Sequence, residues 1–386
     1  MANLFAFALA ENRLVYQPGE TISGSLLLNT DKELNLRSIR VELQGTGHVR
    51  IRSGKVTYER REPYLGFQIV VLGRGPQSGN DVRLLPGNYA FPFQFPLPPH
   101  SLPTSFEGPY GSVRYWLQAV VDRPWRTNLQ ITSPLCIVER VQIRDPALME
   151  PCVKNDDRML GWVCCPSGQL YATARIDRSA YCPGQEVRIT GHVSNQSGKQ
   201  VIGTEVQLVQ KALYKAPHDT TRTVTEKIYV LTNEQGFAPG EDGDVHFDAF
   251  SVPSVQPTTE GFGCIDISYR IRFKVRVARA FNTEIEFPVI ITTVPPSAQP
   301  SIEQVLSHQI YSALANYLAS RVSAELASDE AADEETETGM GRVALDDGST
   351  ASDFPGSRQA PAVPLHSSTR NAPANGKPYQ YSKIEV

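Results

Sequence analysis

Cysteine is scarce in this chain, 6 in 386 residues, and the six (Cys136, Cys152, Cys164, Cys165, Cys182 and Cys264) are too sparse to staple a small secreted fold. Their number excludes a disulfide scaffold and fits reduced thiols in a cytosolic protein. Long apolar runs are missing as well. No segment approaches the roughly 18 residues that a membrane helix needs, and Met1 to Ala10 lack the basic flank that precedes a signal-peptide core. The expectation is a cytoplasmic chain. Excess charge of one sign is also wanting, since the formal net charge is −4. Residues 298–386 hold 6 Lys/Arg against 12 Asp/Glu, which leaves 31 against 29 in residues 1–297. A near-neutral body has no basic field for nucleic acid. Catalytic constellations are absent too. The seven His (48, 100, 192, 218, 246, 308 and 366) have no partner at metal or base spacing, and there is no Gly-x-Ser-x-Gly, phosphate-binding loop or paired carboxylate motif in a suitable context. The chain reads as a non-enzyme with no cofactor.

What is present is strand. Ser38 to Gln44, Ser112 to Val121, Val187 to Val193, Glu205 to Val209 and Tyr269 to Val277 alternate apolar with polar side chains, the period of a strand with one buried face. Turn clusters separate them, such as Gln17-Pro-Gly19, Leu85-Pro-Gly-Asn88, Pro98 to Pro103 and Cys182-Pro-Gly184. No stretch before residue 298 has a helical period. The fold class expected is all-β, as β-sandwiches, and at roughly 150 residues per domain the length suits two of them plus a remainder.

A repeat runs through this region. Tyr16-Gln-Pro-Gly-Glu-Thr-Ile22 recurs as Tyr181-Cys-Pro-Gly-Gln-Glu-Val187 at an offset of 165, and Val41 and Leu43 map onto Val206 and Leu208 at the same offset. Pro103-Thr104, Val113, Tyr115 and Leu117 map onto Pro257-Thr258, Ile267, Tyr269 and Ile271 at an offset of 154. Three blocks in one order indicate two copies of one sandwich. The expected division is a first sandwich over 1–148, a linker over 149–167 and a second sandwich over 168–297.

Residues 298–386 differ in kind. Ser301 with Gln304 forms a capping box, and Ile302, Leu306, Ile310, Leu314, Tyr317, Leu318, Val322 and Leu326 recur at spacings of mostly four, which predicts an amphipathic helix over 298–327. Residues 328–386 begin with six acids in nine positions, Asp329 to Glu337, and continue as a Gly/Ser/Ala/Pro-rich run, the composition of a disordered acidic tail.

The segment Ser105-Phe-Glu-Gly-Pro-Tyr-Gly-Ser-Val-Arg-Tyr-Trp-Leu-Gln-Ala-Val-Val-Asp-Arg-Pro-Trp125 closely resembles the arrestin domain-containing proteins, or α-arrestins. Tyr16-Gln-Pro-Gly-Glu20, Ile39-Arg-Val-Glu-Leu43 with Gly47-His48, Leu85 to Phe93, Tyr181-Cys-Pro-Gly184, Ile265-Asp-Ile-Ser-Tyr269 and Phe287-Pro-Val-Ile290 agree in order, over about residues 5–296. The resemblance implies arrestin N-like and C-like immunoglobulin-type sandwiches. It also implies a non-enzymatic adaptor that binds the tails of membrane protein cargo and links them to endocytic or ubiquitin-dependent traffic at the plasma membrane or endosomes. Two features depart from the family pattern. The tail has no Pro-Pro-x-Tyr for the WW domains of ubiquitin ligases, with Lys377-Pro-Tyr379 the nearest approach, so a ligase partner does not follow by that route. Glu139 stands where receptor-binding arrestins hold a phosphate-sensing Arg, so that trigger is not carried over.

Three candidate sites remain. In Tyr269 to Val277 the residues Arg270, Arg272, Lys274 and Arg276 share one face about 7 Å apart, a spacing for phosphates, acidic phospholipid or an acidic peptide, or else a solvated face with neighbouring acids. Both Arg272 and Lys274 are expected to tolerate reversal to Glu without harm to the fold. At the C-terminus, Tyr381-Ser-Lys-Ile384 has the Tyr-x-x-apolar form that clathrin adaptors bind, Ile384 with Val386 fits a PDZ groove, and an inert tail is the third possibility. Cys152, Cys164, Cys165 and Cys182 supply the four thiolates of a structural zinc site, but adjacent Cys164 and Cys165 lack the usual spacer, and no metal is expected. Plain interdomain thiols are the alternative to zinc, and the Cys pair is also an acylation candidate, which would demand a nearby membrane signal. The alternative to the adaptor is a scaffold that oligomerises through the helix at 298–327 and has no cargo role.

Overall fold

A computed structural model describes residues 4–73, 81–100, 102–162, 165–261 and 263–294. The amphipathic helix at 298–327, the tail at 328–386 and the candidates Tyr381, Ile384 and Val386 lie outside the described residues, as does Cys164. Strand dominates, and the only helical elements among the described residues are two single 3₁₀ turns, Ala10–Asn12 and Pro146–Met149. No helix there is long and apolar enough to cross a membrane.

The first sandwich contains β1 (Leu4–Leu9), β2 (Val15–Tyr16), β3 (Thr21–Thr30), β4 (Leu34–Leu36), β5 (Ser38–Ser53), β6 (Val56–Gly73), β7 (Val82–Leu84), β8 (Gly87–Pro96), β9 (Phe106–Gly108), β10 (Gly111–Asp122) and β11 (Leu129–Ile137). One sheet runs β1-β3-β8 and the other β2-β11-β10-β5-β6, with β9 on β10 and a separate β4-β7 pair. The second sandwich contains β12 (Cys152–Trp162), β13 (Cys165–Ile176), β14 (Ala180–Tyr181), β15 (Glu186–Val187), β16 (Ile189–Ser197), β17 (Val201–Lys215), β18 (Thr221–Asn233), β19 (Asp242–His246), β20 (Phe250–Ser251), β21 (Ile265–Val277) and β22 (Thr283–Ile291). Its sheets are β12-β13-β16-β19 and β14-β22-β21-β17-β18, with a β15-β20 pair. The period-two pattern is the cause of both cores. Val41, Leu43, Tyr115 and Leu117 in the first, and Leu208, Ile271, Phe273 and Phe287 in the second, have essentially no exposed surface.

The duplication survives at the level of single hydrogen bonds. The Tyr16 hydroxyl donates to the Arg13 carbonyl at 3.0 Å and the Tyr181 hydroxyl to the Arg178 carbonyl at 2.6 Å, while each Arg lies over the Tyr ring, at 4.9 and 5.1 Å. In the turns that follow, Glu20 accepts the Gln17 N–H and Gln185 accepts the Cys182 N–H. Gly19 and Gly184 both sit at φ +86°, a conformation that favours glycine, and give their N–H to Pro98 and Val252. Each turn leads out of a short parallel pairing, β2 on β11 and β14 on β22.

Two differences from the sequence reading have physical causes. The stretch expected as a linker at 149–167 contains β12, paired with β13 along its length. Its residues 152–157 are all half-buried or exposed, so no apolar side of the strand marks it in the sequence. The second concerns the match of Pro103-Thr104 to Pro257-Thr258. The Tyr115 hydroxyl donates to Pro103 O and that of Tyr269 to Gln256 O, both at 2.7 Å. Ile137 N donates to Ser105 Oγ and Ile291 N to Thr258 Oγ1. The equivalent residues are therefore offset by 153 in this loop. Val113 pairs with Phe106, whereas Ile267 pairs with Thr259, so the second hairpin is one residue longer and the matched letters slip by one.

Candidate functional site

The four cations of β21 occupy one face, as their alternation requires, with Tyr269, Ile271, Phe273, Val275 and Val277 buried on the other. The register of the sheet then supplies acids. Arg272 stands opposite Glu286 and Lys274 opposite Glu284 on β22, while Glu205 on β17 faces Lys274 from the other side. Arg272 contacts Glu286 at 2.7 Å and Glu284 at 3.5 Å, Lys274 contacts Glu284 at 3.2 Å, and Arg276 contacts Glu234 at 2.8 Å. Arg270 also bonds to Glu286. Burial pushes the Glu286 carboxyl upward, but its hydrogen bonds to Arg272 and Arg270 outweigh this and hold it below the usual carboxylate range. Of the two readings of this face, an anion-binding stripe and a face with neighbouring acids, the ion pairs are those of the second. Arg272 and Lys274 form a cross-strand ion ladder with the Glu residues opposite them on β22. Arg270 reaches Glu286 diagonally, since Pro288 is its register partner, and Arg276 is paired by Glu234 from the loop after β18.

The unoccupied cations are elsewhere. In the β5–β6 hairpin, Arg50, Arg52 and Lys55 are exposed, and no acid lies within ion-pair distance of them among the described residues. Arg61 and His48 share Glu59, at 2.9 and 3.1 Å, and Arg60 pairs with Glu62 at 3.0 Å. Sequence reasoning passed over this hairpin because Arg50 and Arg52 continue the polar side of an ordinary alternating strand. Counting cations from His48 to Arg61 would have found it.

A third region is the seam between the sandwiches. The Cys264 N–H donates to the Tyr64 hydroxyl at 3.4 Å, and the Cys264 thiol lies 3.7 Å from that hydroxyl. Burial pushes both groups toward their protonated forms, and it pushes the Cys136 thiol to about 12. Protonated thiols are poor nucleophiles. Thr293 accepts the Val141 N–H at 2.8 Å and donates to the Glu139 carbonyl at 3.1 Å, while the Glu139 N–H donates to Thr104 Oγ1 at 3.0 Å. Beside them Tyr214 packs on Phe106 and Tyr110, with its hydroxyl pushed up to about 12 by burial. A small pocket is lined by Pro103, Thr104 and Phe106 from one sandwich and Gln256, Thr259 and Ile265 from the other. Among the described residues no three His, Cys, Asp or Glu are placed to hold a metal. The surfaces built here are suited to binding by contact and charge.

The duplicated sandwich with its joined seam defines the class as a two-domain, all-β protein, and comparison with known proteins gives the class its family. The family model for the arrestin (or S-antigen) N-terminal domain matches residues 5–144, and that for the C-terminal domain matches residues 166–296. The chain belongs to the arrestin family, on its α-arrestin branch. It is 28% identical over 298 residues to the human arrestin domain-containing protein 4, covering 74% of this chain and 70% of the relative. The mouse protein of the same name is 28% identical over 299 residues, covering 74% and 71%. The human thioredoxin-interacting protein is 25% identical over 280 residues, covering 72% and 71%.

Proposed function

We propose that this protein is a non-enzymatic adaptor that binds the cytosolic tails of membrane cargo and links them to endocytic or ubiquitin-dependent traffic. The observation that carries the reading is the pair of arrestin domains, joined at a seam of side-chain and backbone bonds. Support comes from the exposed Arg50, Arg52 and Lys55, whose charge suits an acidic or phosphorylated tail. The β21 ladder is assigned to holding the sheet.

Proximity labelling from the full-length protein in cells, combined with surface-protein uptake after its depletion, tests the proposal. Integral membrane proteins should be labelled, and the same proteins should leave the surface more slowly when the adaptor is removed. Labelling confined to copies of the chain itself, with uptake unchanged, would favour the scaffold instead.

A further inference from the structure

The most exposed large apolar side chain among the described residues is Trp125, at 98% of its full accessibility, followed by Phe281 at 86%. Both lie in the same turn of the duplicated fold, β10–β11 in one copy and β21–β22 in the other. The turn has been kept in detail. Trp125 and Arg279, equivalent at an offset of 154, both take left-handed backbone angles, φ +59° and +56°. The Arg123 N–H donates to Asn128 Oδ1 and the Val277 N–H to Asn282 Oδ1, both at 3.1 Å. A left-handed Trp is uncommon and costs free energy, so its place at the apex is held by the closure around it. Arg123 reinforces that closure with its guanidinium, which donates from Nε to the Thr127 carbonyl at 2.8 Å and from a second nitrogen to the same oxygen. Pro124 fixes one more dihedral. The turn is built to hold an indole in water.

Its charge is equally one-sided. Arg123-Pro-Trp-Arg-Thr-Asn128 contains two cations and no acid, and neither Arg has an ion-pair partner among the described residues. The nearest acid in sequence, Asp122, is engaged by Arg37 at 3.5 Å. The symmetry-related turn keeps the Asn closure but has Val277 and Ala280 where the first has Arg123 and Arg126.

We infer that the β10–β11 turn is a membrane contact, in which Trp125 enters the headgroup region of an anionic bilayer while Arg123 and Arg126 meet lipid phosphates. An indole with an apolar body and one N–H donor is suited to that interface, and cations beside it draw it to anionic lipid. A convex turn of six residues is too small for a specific protein interface, which takes about 800 Å² from each partner, whereas a bilayer accepts a single aromatic. This inference goes beyond the adaptor reading and is tested without cargo, so the two can fail separately.

The test is sedimentation of the purified full-length protein with phosphatidylcholine vesicles, with and without phosphatidylserine. Tryptophan fluorescence is followed in lipids brominated in the acyl chain. Phosphatidylserine should promote binding, with quenching that disappears in Trp125→Phe. Trp125→Ala should weaken vesicle affinity at least about tenfold, and Arg126→Glu, a change of two charges, roughly 25-fold. Thermal melts of these variants should match the parent, because both side chains stand in solvent. Absence of vesicle binding, quenching that persists in Trp125→Phe, or unchanged affinity in Trp125→Ala overturns the inference and leaves the indole to a pocket on a partner protein.

Discussion

A Cβ placed on Gly263 would lie 2.0 Å from the Tyr64 hydroxyl, in the seam between the two sandwiches. Gly263 is also at φ +64°, and Gly47 approaches the same hydroxyl from the other side, where its Cβ would stand at 2.5 Å. The hydroxyl is thus enclosed by two bare backbones and bonded to the Cys264 N–H. Gly263→Ala should lower stability by about 1–3 kcal/mol through backbone strain and the clash. Tyr64→Phe should cost about 1 kcal/mol through the lost acceptor. In the double variant the clash is relieved, so the combined loss should fall short of the sum. Urea melts of the four proteins measure this. Strict additivity would mean that Tyr64 turns away from position 263.

The two buried tyrosines at the equivalent corners offer a test of the duplication. Tyr115 gives its hydroxyl proton to Pro103 O, and Tyr269 does the same to Gln256 O while also accepting from Gln210 Nε2 at 2.6 Å. Tyr115→Phe should cost about 1–3 kcal/mol by leaving a buried carbonyl without its donor. Tyr269→Phe should cost more, since Gln210 also loses its shorter hydrogen bond and keeps only the one to Gln256 Oε1 at 3.4 Å. Because the sites are in different sandwiches and share no partner, the double variant should be additive in denaturant melts.

The tyrosines also mark how far the sequence could be read. Turn chemistry and period-two alternation expose the two sandwiches and their kinship, because Pro-Gly turns and buried alternate residues are local features. The slip of one residue between Thr104 and Thr258 was invisible, since identical letters outweighed a loop whose length only pairing reveals. Strand β12 lacked a buried side to announce it. The cations of β21 were legible as a face, but Glu284 and Glu286 join them from β22 and Glu234 from the loop after β18, and register across a sheet is not written in one strand. Contacts such as Tyr64 with Cys264, 200 residues apart, leave no local trace. Trp125 was read only as part of a family signature, because nothing in a sequence says that a turn holds its aromatic outward.

Acid should weaken the β21–β22 ladder with a definite sign. The Glu286 carboxyl is held below its ordinary value by Arg272 and Arg270 against the opposing effect of burial. Its contribution to stability is therefore fully present above the unfolded-state value of about 4.3 and lost as pH falls through the lower folded value. Glu286→Gln should cost about 1–2 kcal/mol at neutral pH, and the gap from the parent should close below about pH 4. Melts at the two pH values check this. A gap that stays constant would assign the cost to packing.

Charge reversal separates the ladder from the hairpin tip. Arg272 is largely covered and lies between Glu286 at 2.7 Å and Glu284 at 3.5 Å, so Arg272→Glu would set three carboxylates together on neighbouring strands. Like charges facing across strands destabilise, and removing one partner of a half-buried pair leaves the other without compensation. The loss expected is about 2–4 kcal/mol, reduced at low pH as the carboxylates protonate. Arg52 has only a weak bond to the Gly54 carbonyl at 3.4 Å and stands in solvent, so Arg52→Glu should shift stability by no more than about 0.5 kcal/mol. The two variants have the same change in net charge, so a global electrostatic effect predicts equal losses and the ladder predicts unequal ones. Equal melting temperatures would mean that the acids of β22 do not hold Arg272 in solution, and the outer face of β21 would then be open to an external anion.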